Sequence, residues 1–309
     1  MKKTIYAGTY TGKRSEGIYR FYCEDGRLSD AGLFCRIDNP KYLCSCGKDI
    51  AAACDFEKGS GIALISKDGE IKDRLVFEDV TSCYITWHEG RLYTANYHTG
   101  TFSVIEVKEG RLKLIRTVDI QNKAGCHQAL FWKDLILIPC LFLDRVKIYD
   151  NDLNYKSEIV FPEGSGPRHG VFSNDGEYLY LVSELSDELF VIRTGSFEIE
   201  ACVPLLESRS TEGTAAIRMS DDGKHLYVSV RGTDVICVLS LEEGMPRLIQ
   251  TVSCQGNHPR DFILIDDILL CANRFTNQIV SFRIGKDGRI ENEIDRIDVP
   301  DAVSLLEKE

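Results

Sequence analysis

Five short stretches of this chain carry side chains that can bind an anion and move a proton. They are Gly125-Cys126-His127, Gly166-Pro167-Arg168-His169, Ser183-Glu184-Leu185, Val230-Arg231-Gly232 and His258-Pro259-Arg260-Asp261. An arginine fork matches a carboxylate or a phosphate with two prongs and stays charged at any working pH. A histidine titrates near neutrality and a glutamate is ionised there, so either can take a proton from water. Together these groups suit the capture of a small anion with a proton acceptor beside it. No Ser-His-Asp arrangement is readable, which disfavours a covalent acyl-enzyme. The stretches lie far apart in the chain, so a repeating scaffold must align them.

That scaffold is visible as an internal repeat. Segments beginning at Asn39, Ser82, Gly125, Gly166, Gly213 and His258 share one order of features. Each runs through an apolar stretch, a polar turn, a second apolar stretch, a short polar break, a third stretch, and a Gly- or Asp-containing turn into a fourth. The stretches are short, rich in Val, Ile, Leu, Tyr and Phe, and bounded by turn formers, which is how strands read. No segment sustains a helical period, so the chain reads as all-β. Asp175-Gly176, Asp222-Gly223 and Asp287-Gly288 are expected to form two-residue hairpin turns with both central residues at positive φ.

A repeat of about 40 to 47 residues is that of four-stranded propeller blades. Six copies take up residues 39 to 299. Strands expected near 5–7, 18–22 and 32–37, with one from 302–306, complete a seventh blade closed by pairing of the N- and C-terminal strands. Such closure leaves no free sheet edge. Residues 1–309 are therefore expected to form a single seven-bladed β-propeller.

In a propeller, the starts of the inner strands and the ends of the second strands meet at one rim of the central channel. His127, Arg168, His169 and Arg260 fall at the first kind of position; Asn96, Tyr97, Glu184, Arg231 and Asn273 fall at the second. Taken singly, such residues often only cap strands or satisfy carbonyls of neighbouring blades. As a set they read differently, because clustered cations are costly unless an anion offsets them. His169, Asn96, Tyr97, Arg260 and Asn273 are expected to contact the substrate.

The chain sets 37 Lys and Arg against 48 Asp and Glu, a net charge of −11. An acidic surface disfavours nucleic acid and anionic membrane as partners. No apolar run approaches the ~18 residues of a membrane span, and Met1-Lys2-Lys3 is followed by no signal-like apolar stretch. Twelve cysteines without an export signal suggest reduced thiols in a cytoplasm. Cys44 and Cys46 would share a strand face, but no second ligand pair accompanies them, so they read as buried hydrophobes rather than a metal site. No carboxylate cluster suited to calcium and no cofactor-attaching motif is evident, so neither metal nor cofactor is expected. The expected state is a monomer or weak dimer.

The same stretches, together with Tyr6-Ala7-Gly8-Thr9-Tyr10-Thr11, Asp222-Gly223-Lys224-His225-Leu226-Tyr227 and Pro259-Arg260-Asp261-Phe262, carry a resemblance over nearly the whole chain. The sequence resembles the bacterial lactonase family of seven-bladed propellers, which includes cycloisomerase-type 6-phosphogluconolactonases, and is similar to a fungal enzyme that lactonises carboxymuconate. The resemblance implies a funnel site with His127, Arg168, Glu184 and Arg231 as the catalytic residues. It implies hydrolysis of a small anionic sugar lactone, 6-phospho-D-glucono-1,5-lactone foremost, as in the pentose phosphate pathway. The chain departs from the family at Cys126 and Gln128, which flank a single histidine where two are frequent. Ser183 and Val230 stand where asparagine is common. A muconate-type cycloisomerase is the alternative, since two carboxylates ask much the same of an arginine cluster. A non-enzymatic binding platform is a further one, although neither Trp87 nor Trp132 is followed by the aspartate of platform propellers.

Overall fold

The computed structural model describes residues 1–242 and 244–308. Among the described residues the apolar stretches fold into 28 strands, arranged as seven antiparallel sheets of four. The single helical element among the described residues is a 3₁₀ turn at Leu141–Leu143. None of the described residues forms a helix long and apolar enough to cross a membrane.

Burial varies across each blade in a way that explains the sequence pattern. The middle strands are sandwiched between neighbouring blades, so they bury both faces and read as continuous apolar runs; every residue of His225–Arg231 is buried. The outer strand keeps one face in solvent and alternates, as in Glu198–Pro204. The core therefore sits between blades. Tyr180, Val182, Leu189 and Val191 of one sheet pack on Ile217, Leu226 and Val228 of the next.

The seventh blade closes as the terminal strands predict. Ala302–Glu307 supplies its innermost strand and pairs with Lys3–Thr9, with Ile5 opposite Glu307 and Ala7 opposite Leu305. Gly17–Glu24 and Arg27–Arg36 complete the sheet. Gly8 sits where this blade meets the next, and a Cβ there would lie 2.4 Å from the Pro40 carbonyl oxygen and 2.4 Å from Ser304 Oγ. Gly8→Ala is thus expected to destabilise the ring by about 1–3 kcal/mol through overpacking. Thermal unfolding should show a midpoint several degrees lower; an unchanged midpoint would mean that the seam yields freely.

The Asp-Gly turns differ from expectation. Gly176, Gly223 and Gly288 have φ of 70°, 72° and 76°, but their aspartates are not at positive φ. Ser173 N–H donates to Tyr178 O and Gly176 N–H to Ser173 O, so residues 174–177 form a four-residue loop. Asp175 Oδ1 accepts the N–H of Glu177 at 2.9 Å, and Asp222 Oδ1 that of Lys224 at 3.0 Å. This Asx-type turn holds the aspartate at negative φ and leaves only the glycine to reverse the chain.

Candidate active site

The site is assembled by irregularities at the inner-strand starts. In strand Pro167–Phe172, Pro167 opposes Ser183 while His169 opposes Val182, so Arg168 is an extra residue without a cross-strand partner. Strand Pro259–Ile265 repeats the device: Pro259 opposes Asn273 and Asp261 opposes Ala272, which leaves Arg260 bulged. Neighbours on a regular strand point to opposite faces, and a bulge re-aims one of them. As a result Arg168 and His169 touch, with Nη1 3.3 Å from Nδ1.

Glu184 follows strand Tyr178–Ser183 and is anchored by its N–H donating to Gly166 O at 2.7 Å. Its Oε2 accepts Arg168 Nε at 2.6 Å and faces Arg231 Nη2 at 3.1 Å. Arg168 is 2% exposed, and its Nη1 also donates to the Ala215 carbonyl. Arg231 ends strand His225–Arg231 and is held by Nε to Gly213 O at 3.1 Å and Nη2 to Thr214 O at 3.2 Å. Gly213, at φ +78°, lies so close to Glu184 that a Cβ would stand 1.9 Å from the Glu184 carbonyl oxygen. His127 precedes the short strand Leu130–Trp132; its N–H donates to Pro139 O at 3.1 Å, and its Nδ1 lies 3.0 Å from His169 Nε2. The Tyr97 ring stands edge-on to it at 5.8 Å.

Between these groups lies a cavity of about 250 Å³, lined by Lys41, Tyr97, His127, Glu184, Arg231 and Arg260, with Tyr10, Thr81, Cys83 and His98 completing the wall. Burial alone raises the Glu184 pKa, but Arg168, Arg231 and Arg260 together outweigh it and hold the carboxyl below its ordinary value. Burial, then Arg168, Arg260 and Arg231, push His127 well down. Burial, then Arg168 and His127, do the same to His169. Burial also lowers Arg168, to about 10, against the pull of Glu184. The two partners shift differently because Arg168 is wholly enclosed whereas Glu184 reaches the cavity. At neutral pH the site thus holds an ionised carboxylate, two neutral imidazoles and charged guanidiniums.

Of the residues expected from sequence, His127, Glu184, Arg231, Tyr97 and Arg260 line the cavity. Arg168 and His169 stand behind them, against Glu184 and His127 respectively. Asn96 and Asn273, expected as substrate contacts, are fully buried and do not line it. Asn96 donates to Glu78 Oε2 and Val80 O and accepts the N–H groups of His98 and Thr99. Asn273 donates to Cys254 O at 2.8 Å. Asn96 closes the turn that follows its strand, as a side-chain amide at a strand end can, whereas Asn273 ties its strand end to the segment that enters the same blade.

Lys41 and Tyr10 were missed, yet both had a signal. Asn39-Pro40-Lys41 is in register with Gly166-Pro167-Arg168 and His258-Pro259-Arg260, so a Pro-then-cation step recurs in three blades. Tyr10 follows Lys3–Thr9, the second strand of the closing blade, as Tyr97 and Glu184 follow theirs. Beneath the cavity, Arg218 Nη2 pairs with Asp261 Oδ1 at 2.7 Å, and the Tyr84 ring stands 5.7 Å from that of His169. Cys44 and Cys46 are packed among Ala51, Ile62 and Leu64, and burial raises both thiols, Cys46 to about 11.

Residues 4–306 match the family described as lactonase, 7-bladed beta-propeller. The chain is 28% identical to the 6-phosphogluconolactonase of Bacillus subtilis strain 168, over 96% of this chain and 95% of that protein. The crystal structure of a Lactobacillus plantarum protein superposes over the whole of both chains with a TM-score of 0.93 at 29% identity. A periplasmic gluconolactonase of Pseudomonas aeruginosa shares the fold, with a TM-score of 0.88 over 99% of each chain at 21% identity. The chain belongs to the lactonase family of seven-bladed β-propellers, and with it to the lactone hydrolases.

Proposed function

We propose that this lactonase opens a phosphorylated sugar lactone, 6-phospho-D-glucono-1,5-lactone foremost, by direct attack of water in the funnel. One observation carries the reading: Lys41, Arg231 and Arg260 surround a single carboxylate, Glu184, in the wall of one cavity of a chain whose net charge is −11. Cations left in excess at such a point call for an anionic ligand. The same excess opposes a divalent cation. Small-molecule sites begin near ~300 Å³, so this cavity suits a monosaccharide rather than a longer sugar.

The roles divide by what already holds each cation. Arg231 is tied to Glu184 and to two backbone carbonyls, which positions it for the oxyanion. Lys41 and Arg260 make no ion pair among the described residues and both stand beside the Tyr10 ring, at 5.8 and 5.6 Å. They form the phosphate subsite. Glu184, as a carboxylate, and His127, as a neutral imidazole on any ring nitrogen without a proton, are the candidates to receive the proton of the attacking water, a contribution of about 10²–10⁴-fold.

Arg260→Ala tests the substrate. Losing a charge-assisted contact of ~1.5–3 kcal/mol should raise KM for the phosphorylated lactone about 10- to 100-fold. The unphosphorylated 1,5-lactone should be opened by the variant as by the wild type. Equal losses on both substrates would remove the phosphate from the proposal, and ultraviolet loss on a muconate in place of lactone opening would move the enzyme to the cyclase side.

A further inference from the structure

We propose that His169 is a positioning residue: it holds His127 in the tautomer that carries its proton on Nε2, the ring nitrogen left facing the cavity. This rests on the lactonase reading for its kinetic consequence, but not for the tautomer itself.

The argument is a chain of hydrogen-bond polarity that begins at a group able only to donate. The Arg168 guanidinium has no acceptor. Its Nη1 lies 3.3 Å from His169 Nδ1, so that nitrogen accepts. A neutral imidazole that accepts on Nδ1 carries its proton on Nε2. His169 Nε2 lies 3.0 Å from His127 Nδ1, so it donates there and His127 Nδ1 accepts. The His127 proton is then on Nε2. Neutrality of both rings follows from their enclosure and from the cations around them, Arg168 and Arg218 near His169, and Arg168, Arg231 and Arg260 near His127. The aromatic rings of Tyr42 and Tyr84 wall off the far side of His169.

The consequence is a division of labour. A neutral imidazole with Nε2–H toward the substrate is a hydrogen-bond donor and not a base. Glu184 therefore takes a proton from water as the water oxygen bonds to the lactone carbonyl carbon. The carbonyl electron pair becomes an oxyanion that meets Arg231 and His127 Nε2–H, and His127 keeps its proton. Collapse breaks the bond to the ring oxygen, which receives the proton held on Glu184. The carboxylic acid product then loses its proton to solvent.

Nitrogen-15 NMR of histidine-labelled protein reads the tautomer without substrate, with the His127 signals assigned by their loss in His127→Gln. The wild type should show the His127 proton on Nε2, and His169→Phe should release it to a mixture. In His169→Phe, kcat for the lactone should fall in proportion to the share of His127 that no longer carries its proton on Nε2, about 2- to 10-fold, while KM changes little. His169→Gln, whose amide can accept from Arg168 and donate to His127, should recover most of kcat, which a role in folding alone would not predict. A proton on Nδ1 of His127 in the wild type overturns the proposal. So does a His169→Phe enzyme with unchanged tautomer and kcat. The expected tautomer in a protein that opens no lactone would uphold the positioning role and overturn the lactone substrate.

Discussion

Glu184→Gln should lower kcat for 6-phosphogluconolactone opening by about 10²–10⁴-fold, measured with the spontaneous reaction subtracted. The glutamine keeps the shape of the side chain, so it still meets Arg168 Nε and Arg231 Nη2 through its oxygen. It loses the ability to take a proton and the charge that holds two guanidiniums together. The KM should change far less, because Lys41 and Arg260 are untouched. Wild-type turnover in a folded variant would end the role given to this carboxylate. The wild-type enzyme adds a pH signature. The folded pKa of Glu184 lies below its unfolded value of ~4.3, so its ion pairs stabilise fully above that value and are lost as pH falls through the folded pKa. Activity should fail on the acid side over the same range.

Arg168→Leu should have the largest effect on stability, a loss of about 3–5 kcal/mol in denaturant unfolding, as when one partner of a buried ion pair is removed. Three contacts go at once: Nε to Glu184, Nη1 to the Ala215 carbonyl, and Nη1 to His169. Leucine occupies part of the space but leaves Glu184 with Arg231 alone as a close cation. The carboxyl is then pushed up by burial with one guanidinium fewer to oppose it, so the acid limb of the activity profile should move to higher pH. The double variant Arg168→Leu with Glu184→Leu should be less destabilised than the sum of the single changes, since the stranded charge is gone. Strict additivity would show that the pair is not coupled.

The architecture was legible because its causes are local and repeated. Each blade needs apolar stretches between turn formers, and residues 39 to 299 carry that order six times. The terminal stretches had no other partners, so the pairing of Lys3–Thr9 with Ala302–Glu307 followed from counting strands. The site was legible in part for the same reason. Blade-end positions converge by ring symmetry, which brings His127, Glu184, Arg231 and Arg260 to one cavity. The symmetry did not say which blade-end polar groups are free. Asn96 and Asn273 occupy equivalent positions, but their amides are consumed by backbone carbonyls of the segments that enter their blades, Val80 and Cys254.

Sequence by itself thus determined the all-β ring, the face on which the cations gather, and the ratio of guanidiniums to carboxylate there. Those are matters of strand periodicity and residue type. Tertiary structure alone decided that Arg168 is a buried clamp while Arg260 lines the cavity, that Lys41 joins it there, and that His169 bridges Arg168 to His127. The physical reason is the bulge at Arg168: one unpaired residue turns two consecutive side chains toward each other, and strand alternation read from sequence places them on opposite faces. Which nitrogen carries a proton depends on that contact across a single turn of backbone, and no count of residue types contains it.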